Sequence, residues 1–296
     1  MPSTDSVGFV GLGVMGEPMC RNLAEKSDVE LIGYDIRPES LEHLTTFGVL
    51  AAESVADVAT RCDIIFLSLP AAEHVRAVCT EEAGLLTHCS AGATVIDLST
   101  VPPSLAQDLH AKFGTRGISF ADAPVARSRH AAVDGTLSIM FGGDAKVLER
   151  VHEFLACMGT DITHCGGPGT GQVVKILNNM LLFDTCVSIA ETLVMGERAG
   201  VDPQLLVETL SKGSADSFAL RTHAAKAMLS NDYPEDAFSV RYALKDLTYA
   251  LQIADETGVD ARAGQLVREY FNQAIDAGLG EQYHPVVKKL VEGSEG

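Results

Sequence analysis

The stretch Val7-Gly-Phe-Val-Gly-Leu-Gly-Val-Met-Gly16 decides the fold of the first half of the chain. Its first four residues are typical of a short buried strand, and Pro18 fits the first turn of a helix that continues through Leu23. The glycines between these elements allow a tight turn, a close approach of the backbone to a pyrophosphate, and close packing of the helix on the strand. We therefore predict a dinucleotide-binding turn in which the N–H groups of a helix start face the ligand. The residues predicted to contact the dinucleotide in this turn are Gly11, Leu12, Gly13, Val14, Met15 and Gly16.

Asp35 ends the second predicted strand, 24 positions after Gly11. A carboxylate at this place hydrogen-bonds the adenosine ribose hydroxyls and repels a 2′-phosphate, which favours NAD over NADP as the cofactor. Arg37 weakens this preference, because a nearby arginine can accommodate the phosphate. The alternative interpretation of Asp35 is a carboxylate on a surface turn without a ligand.

Short apolar runs alternate with helical patterns up to about residue 165. They predict strands at residues 7–10, 30–34, 63–69, 94–98, 118–125 and 137–141. Strands that alternate with helices indicate a mostly parallel sheet covered on both faces. The predicted fold is an α/β Rossmann domain with a doubly wound parallel sheet in residues 1–165.

The pattern changes after Gly166-Gly-Pro-Gly-Thr-Gly171. Residues 172–199 are typical of one long helix, and further helices are predicted near residues 202–211, 218–230, 238–257 and 261–277. The sequence therefore predicts an all-α C-terminal domain in residues 166–296 that begins with a long interdomain helix.

Composition and charge exclude several classes of function. With 40 acidic against 22 basic residues the net charge is −18, so nucleic acid would meet net repulsion. The seven cysteines form no C-x-x-C pair and no Cys/His cluster at zinc spacing, so we expect reduced thiols and no metal. The N-terminus lacks a basic segment before an apolar run, and no uninterrupted apolar stretch approaches the length of a membrane span. We expect a cytoplasmic protein without membrane or nucleic-acid partners.

Lys175 and Asn179 stand out in the predicted long helix. They are four positions apart, and so share one face of a helix that is otherwise apolar nearly all round. Burying an ammonium and an amide is costly without partners, so the pair indicates a ligand or a polar network. The alternative is a lysine whose ammonium reaches solvent beside a capping asparagine.

Four segments occur in a fixed order along the chain. They are Gly11-Leu-Gly-Val-Met-Gly16, then Asp122-Ala-Pro-Val125 with Gly135-Thr-Leu137 and Gly142-Gly143, then Gly171-x3-Lys175-x2-Asn178-Asn179, and Leu244-Lys-Asp-Leu247. Together they resemble the β-hydroxyacid dehydrogenase family, which contains 3-hydroxyisobutyrate dehydrogenase and is related to 6-phosphogluconate dehydrogenase. The resemblance covers essentially the whole chain. It implies a catalytic role for Lys175, substrate contact at Asn179, and cofactor contacts at Leu69, Pro70, His74, Thr100 and Lys245, although the family often has asparagine where this chain has His74.

The segment after Val125 departs from the family pattern. Most relatives have Ser-Gly-Gly there, with backbone donors and a hydroxyl for the substrate carboxylate, whereas this chain has Ala126, Arg127 and Ser128. An arginine offers a rigid fork of donors for a carboxylate, sulfonate or phosphate, so Arg127 is a candidate anion contact. The segment also resembles the Gly-Arg-Thr loop of sulfolactaldehyde reductases. The alternative is that Arg127 points to solvent and backbone N–H groups bind the anion.

The resemblance implies an NAD(H)-dependent oxidoreductase that interconverts a small anionic 3-hydroxy acid, a carboxylate or a sulfonate, and its semialdehyde, with Lys175 as general acid/base. Narrower alternatives are a sulfolactaldehyde reductase and a reductase acting on 2-(hydroxymethyl)glutarate and its semialdehyde. A catalytically inactive interaction module is an alternative of a different class, and the presence of Lys175 argues against it. The apolar C-terminal helices, with the resemblance, imply a homodimer or homotetramer.

Overall fold

The computed structural model describes residues 6–235 and 237–293. They divide into two compact units, the first ending at Lys175 and the second beginning at Ile176.

The first unit is built on one sheet. Its strands are β1 (Val7–Val10), β2 (Leu31–Tyr34), β3 (Leu50–Ala51), β4 (Ile64–Leu67), β5 (Thr94–Asp97), β6 (Ser119–Asp122), β7 (Val125–Ala126), β8 (Leu137–Gly142) and β9 (Gly159–Gly166). Their spatial order is β3-β2-β1-β4-β5-β6-β8-β7, with β9 paired to β8. The strands from β3 to β6 pair in parallel, and β8 runs antiparallel to β6 and β7. The chain order reverses between β1 and β4, the place where ligands bind in sheets of this topology.

Helices connect these strands. They are α1 (Gly16–Lys26), α2 (Pro38–Thr45), α3 (Val55–Arg61), α4 (Ala72–Thr80), α5 (Leu85–His88), α6 (Pro103–Gly114), α7 (Arg129–Asp134) and α8 (Ala145–Met158). α9 (Thr170–Arg198) begins in this unit and continues into the second.

The sheet is buried on both faces. Phe9 and Phe66 belong to one apolar cluster, whereas their neighbours Val10 and Leu67 belong to another. Because successive side chains of a strand point to opposite faces, each strand contributes to two cores. This arrangement confirms the predicted doubly wound α/β fold.

The structure differs from the predicted strands in three places. The single strand expected over residues 118–125 is two strands, β6 and β7, because Ala123 and Pro124 separate them and a proline cannot donate to a ladder. The sequence reasoning also missed β3 and β9. β3 has only two residues, and most residues of β9 are at least partly exposed, so neither presents the continuous apolar run used to find the other strands.

The second unit is helical. After α9 come α10 (Pro203–Leu210), a π-helix (Leu220–Met228), α11 (Val240–Thr257), α12 (Arg262–Asp276), a 3-10 turn (His284–Val287) and α13 (Lys288–Glu292). The predicted start and stop signals act as expected. Asp202 accepts a hydrogen bond from Leu205 N ahead of Pro203, and Gly258 ends α11 with a φ of 72°. The expected helix near 218–230 is present, but its winding is that of a π-helix.

By length and composition α9 could cross a membrane, since it contains an 18-residue stretch with a mean hydropathy of 1.5. Asp184 lies within every such stretch of the helix, so α9 is not the uninterrupted apolar run that the sequence analysis excluded. A core helix of a water-soluble protein passes the same test, so the property is weak evidence for a membrane span.

Candidate active site

The glycine-rich turn has the backbone geometry that its sequence predicts. Gly11 has a φ of 92°, and a Cβ atom there would lie 2.3 Å from the carbonyl oxygen of Ser68. A Cβ atom on Gly16, the first residue of α1, would lie 1.9 Å from the carbonyl oxygen of Gly11. Neither position tolerates a side chain, so the backbone of the turn stays bare for a close approach by a pyrophosphate. Leu12 is fully buried below the turn, and Val14 is exposed.

Asp35 directly follows β2 and holds the glycine-rich turn. Its Oδ2 atom accepts a hydrogen bond of 2.6 Å from Leu12 N, and its Oδ1 atom accepts one of 2.8 Å from Arg37 N. The Arg37 Nε atom lies 3.6 Å from Oδ1, and the arginine side chain is 63% exposed. Each carboxylate oxygen retains a further lone pair, so Asp35 can also accept from ribose hydroxyls.

The loops after β4 and β5 are joined by side-chain hydrogen bonds. The Ser99 hydroxyl accepts from Leu69 N at 2.8 Å, which ties the loop after β4 to the loop after β5. Buried Gln172 bridges the second loop, since its Oε1 accepts from Val101 N at 3.0 Å and its Nε2 donates to the Ser99 carbonyl at 2.7 Å. Thr100, a predicted cofactor contact, lies between the two backbone groups that Gln172 binds.

Two other predicted cofactor residues lie near this edge of the sheet. Pro70 follows Leu69 in the loop after β4 and is exposed. His74 is exposed on α4, where its Nδ1 atom lies 3.9 Å from Glu73 Oε1.

Asp122 anchors the start of α9. It is fully buried at the end of β6, where Oδ1 accepts from Gly169 N at 2.6 Å and Oδ2 accepts from Gln172 N at 2.9 Å. Burial raises the pKa of its carboxyl to about 6, against the opposing effect of these backbone donors. A Cβ atom on Gly171 would lie 2.2 Å from the Met140 carbonyl oxygen, so the helix start packs directly on the sheet.

Lys175 therefore lies on a fixed helix start. It is half-buried on α9, three positions after Gln172. Because Asp122 and Gln172 bind the first turn of this helix to the loops at the carboxyl ends of the strands, the lysine backbone has a fixed place relative to those loops. The capped, anchored start is suited to positioning an amine for proton transfer.

Asn179 lies one turn beyond Lys175 and belongs to the second unit. It is 4% exposed, and its Nδ2 donates to Asp246 Oδ2 at 2.7 Å. Its Oδ1 accepts from Asn178 Nδ2 at 3.1 Å, so both ends of the amide have partners. Asp246 also forms an ion pair with the neighbouring Lys245, whose Nζ lies 3.4 Å from Oδ1. Within the second unit, the Asp246 carboxylate thus links Asn179 and Lys245. Asp246 was not among the site residues predicted from the sequence.

The segment that departs from the family pattern has an unusual backbone. Ala126 is buried in β7, Ser128 is exposed before α7, and Arg127 between them has a φ of 85°. This left-handed conformation favours glycine, which agrees with the Ser-Gly-Gly of the family pattern described above.

The Arg127 side chain is committed to protein partners. Its Nη1 donates to the Thr136 carbonyl at 2.5 Å and to Thr160 Oγ1 at 3.1 Å, and its Nη2 donates to Asp161 Oδ2 at 2.6 Å. The Thr160 hydroxyl and then the Arg127 guanidinium lower the pKa of the Asp161 carboxyl. The guanidinium is therefore partly neutralised within the first unit.

Four residues that position the strand-end loops, the start of α9 and Asn179 were not predicted from the sequence: Ser99, Asp122, Gln172 and Asp246. Asp122 and Asp246 lie inside the quoted family segments, and Gln172 is a polar residue at the start of an apolar helix, so each carried a signal. Ser99 carried none beyond its place at a strand end.

Two family models match the chain. The NAD binding domain of 6-phosphogluconate dehydrogenase matches residues 6–167, and a second model, described as NAD-binding of NADP-dependent 3-hydroxyisobutyrate dehydrogenase, matches residues 169–290. The two models meet close to the predicted boundary at residue 165.

Known proteins are similar along their whole length. The 2-(hydroxymethyl)glutarate dehydrogenase of Eubacterium barkeri is 34% identical over 100% of this chain and 98% of its own. The 3-sulfolactaldehyde reductase of Escherichia coli (strain K12) is 33% identical over 98% of this chain and 97% of its own. The solved structure of Mycobacterium tuberculosis 3-hydroxyisobutyrate dehydrogenase with L-serine has a TM-score of 0.90 and 28% identity, and covers 98% of this chain and 100% of that one. Because both models match in order and the relatives align almost end to end, the chain belongs to the β-hydroxyacid dehydrogenase family of NAD-dependent oxidoreductases.

Proposed function

We propose that this chain uses Lys175 as the general acid/base in the NAD(H)-dependent interconversion of a small anionic 3-hydroxy acid and its semialdehyde. The observation that carries the proposal is the anchored start of α9, where Asp122 and Gln172 fix the backbone three positions before the lysine. An acid/base group must be held within reach of the proton that it moves, and this helix start supplies that constraint.

The chemistry divides between the cofactor and the protein. When bound, the nicotinamide supplies hydride transfer to or from the carbon that bears the oxygen. During oxidation the neutral amine of Lys175 takes the hydroxyl proton, and during reduction its ammonium returns a proton to the oxygen. We assign substrate contact to Asn179 from the family resemblance, and its amide is oriented by Asp246 Oδ2 at 2.7 Å and by Asn178.

Replacement of the lysine tests this role. Lys175→Ala is expected to retain NADH binding, measured by fluorescence titration, and to lose kcat by about 10²–10⁴-fold, because proton transfer contributes that much. Lys146→Ala is the matched control, since Lys146 is exposed near the start of α8. Turnover by Lys175→Ala close to that of the control would remove the lysine from the mechanism.

We place the cofactor contacts in the glycine-rich turn and the strand-end loops, with NAD preferred over NADP. The support is Asp35, whose carboxylate lies against Leu12 N of the turn, where it would meet a 2′-phosphate. Asp35→Ala is expected to raise kcat/KM with NADP relative to NAD, with Arg37 then available to the phosphate. Equal efficiency of the unaltered enzyme with both cofactors would contradict the argument.

For the substrate anion we favour backbone N–H groups of residues 126–128, together with the Ser128 hydroxyl. The Arg127 guanidinium already has Thr136, Thr160 and Asp161 as partners, so it braces the loop. Carboxylates and sulfonates both suit backbone donors, which leaves sulfolactaldehyde and 2-(hydroxymethyl)glutarate semialdehyde as narrower alternatives.

A substrate panel measured on the wild-type enzyme distinguishes the candidate substrates. The same panel measured on Arg127→Gly tests whether the guanidinium or the backbone binds the anion. The panel is 3-hydroxyisobutyrate, L-serine, sulfolactaldehyde, 2-(hydroxymethyl)glutarate and succinic semialdehyde. Glycine keeps the left-handed backbone but loses the brace, so we expect kcat/KM on the best substrate to fall by less than about 10-fold, the smallest loss that a direct contact would give. A direct contact from the guanidinium would be worth about 1.5–3 kcal/mol, and its removal would cost roughly 10- to 100-fold. A loss of that size would assign the anion to the Arg127 side chain.

We also propose a cytoplasmic homodimer or homotetramer. Support comes from exposed apolar side chains on α9, among them Leu181 at 66% and Met195 at 63% exposure. Light scattering of the purified chain measures the assembly, and a monomer would contradict the proposal.

A further inference from the structure

Three side chains with metal-binding chemistry converge in the second unit. Cys186 lies on α9, His223 on the π-helix, and His284 on the 3-10 turn. The Cys186 Sγ atom and one nitrogen of each imidazole lie within 4.8 Å of one another. Cys186 and His284 are each 1% exposed, so the cluster belongs to the interior of this unit.

Two of the imidazole nitrogens have no partner in the part of the chain that the structure describes. His223 Nε2 and His284 Nδ1 are buried there without a hydrogen bond. A buried polar atom without a partner costs free energy, and few occur in folded proteins. Two such atoms in one cluster with a thiol indicate an unassigned ligand.

The surroundings orient these groups. The Tyr283 hydroxyl contacts His223 Nδ1. When Nδ1–H donates to the tyrosine oxygen, Nε2 presents its lone pair, which is the arrangement that metal-binding histidines use. The rings of Phe183 and Phe271 pack edge-on against His284 at 5.2 and 6.4 Å between centroids, and so exclude water from one side. The π-helix that carries His223 is a rare conformation that is frequent at functional sites.

We propose that Cys186, His223 and His284 bind a divalent cation of the zinc type. One thiolate and two neutral imidazoles are a common zinc donor set, and a water molecule can complete the tetrahedron. The Cys186 thiol loses its proton to solvent as the sulfur–metal bond forms, so binding releases one proton. Bond lengths of about 2.3 Å to sulfur and 2.0–2.1 Å to nitrogen require the three atoms to move together by up to about 1 Å.

The site has a structural purpose and is independent of the dehydrogenase reaction. Its ligands come from three segments separated by 37 and 61 residues, so a bound ion would clip α9 to two later elements. The expectation of no metal rested on local Cys/His spacing, which cannot detect ligands this far apart.

Metal titration of the whole chain tests the proposal. The protein is treated with chelator, dialysed with reductant, and titrated with Zn²⁺ or with Co²⁺ as a spectroscopic probe. We expect one ion per chain, a near-ultraviolet thiolate-to-cobalt band and a higher Tm with Zn²⁺. Cys186→Ala and His223→Ala should abolish stoichiometric binding, whereas Cys157→Ala, a buried cysteine in the first unit, should retain it.

X-ray absorption of the zinc-loaded wild-type chain gives an answer that does not depend on the variants folding. One sulfur in the zinc shell, with nitrogen or oxygen as the remaining ligands, supports the proposal. Absence of zinc uptake, a shell without sulfur, or uptake that persists in folded Cys186→Ala would overturn it.

Discussion

The strand-end network makes a quantitative prediction for Gln172→Ala. Gln172 is fully buried and satisfies two backbone groups, Val101 N–H and the Ser99 carbonyl. Truncation to alanine leaves both backbone groups without this partner. Each unsatisfied buried group costs about 1–3 kcal/mol. The free energy of unfolding should therefore fall by about 2–6 kcal/mol, toward the lower value if a water molecule enters the vacated volume.

Urea unfolding followed by circular dichroism measures this loss, provided that the transition of the first unit is resolved from that of the second. NADH affinity should fall as well, because Thr100 lies between the two released groups. Gln204→Ala is the matched control, since Gln204 is exposed and its side chain bonds to Glu208 in its own helix. Its cost should stay within about 0.5 kcal/mol. A Gln172→Ala protein as stable as the control would refute the network argument.

Three further outcomes are expected. Burial raises the pKa of Asp122 to about 6, so its stabilising contribution is present at low pH and is lost as the pH rises through that value. The free energy of unfolding of the wild type, measured relative to that of Asp122→Asn, should decline by roughly 3 kcal/mol between about pH 3.5 and 7. A difference between the two proteins that does not change with pH in urea titrations would contradict this. Gly16→Ala should abolish NADH binding in fluorescence titrations because its Cβ meets the Gly11 carbonyl, whereas Gly114→Ala, which meets nothing within 4 Å, should bind normally. Alkylation of the native protein at mild pH should modify the partly exposed Cys165 before the six buried cysteines, as read by mass spectrometry.

The parallel part of the sheet could be predicted from sequence because its strands are continuous apolar runs. β1 appears with the expected bounds, and β2, β4 and β5 differ from their predicted ends by one or two residues. The pairing of β7 and β9 with β8 depends on tertiary contacts, which local composition does not encode. The π-helix at Leu220–Met228 was expected as an ordinary helix for the same reason, since periodicity cannot distinguish the two over nine residues.

The candidate site was only partly predictable. The glycine-rich turn and the helix that carries Lys175 could be predicted from local sequence patterns, because the geometry of both elements depends mainly on residues close in sequence. The supporting contacts of Ser99, Gln172 and Asp246 join residues 30 to 73 positions apart, so only the folded chain reveals them. Arg127 illustrates the limit, because its sequence suggested a free anion receptor and its structure gives the guanidinium three protein partners.

The left-handed backbone of Arg127 also affects the unfolded chain. A glycine at this position would sample many more conformations before folding, and so would lose more entropy when the loop orders. Arginine has fewer conformations to lose, and its bonds to Thr136, Thr160 and Asp161 offset part of the strain of a φ of 85°. We expect residues 126–128, which we propose bind the substrate anion, to be rigid before substrate arrives, so that association costs little ordering and selection among anions depends on fit to a fixed shape.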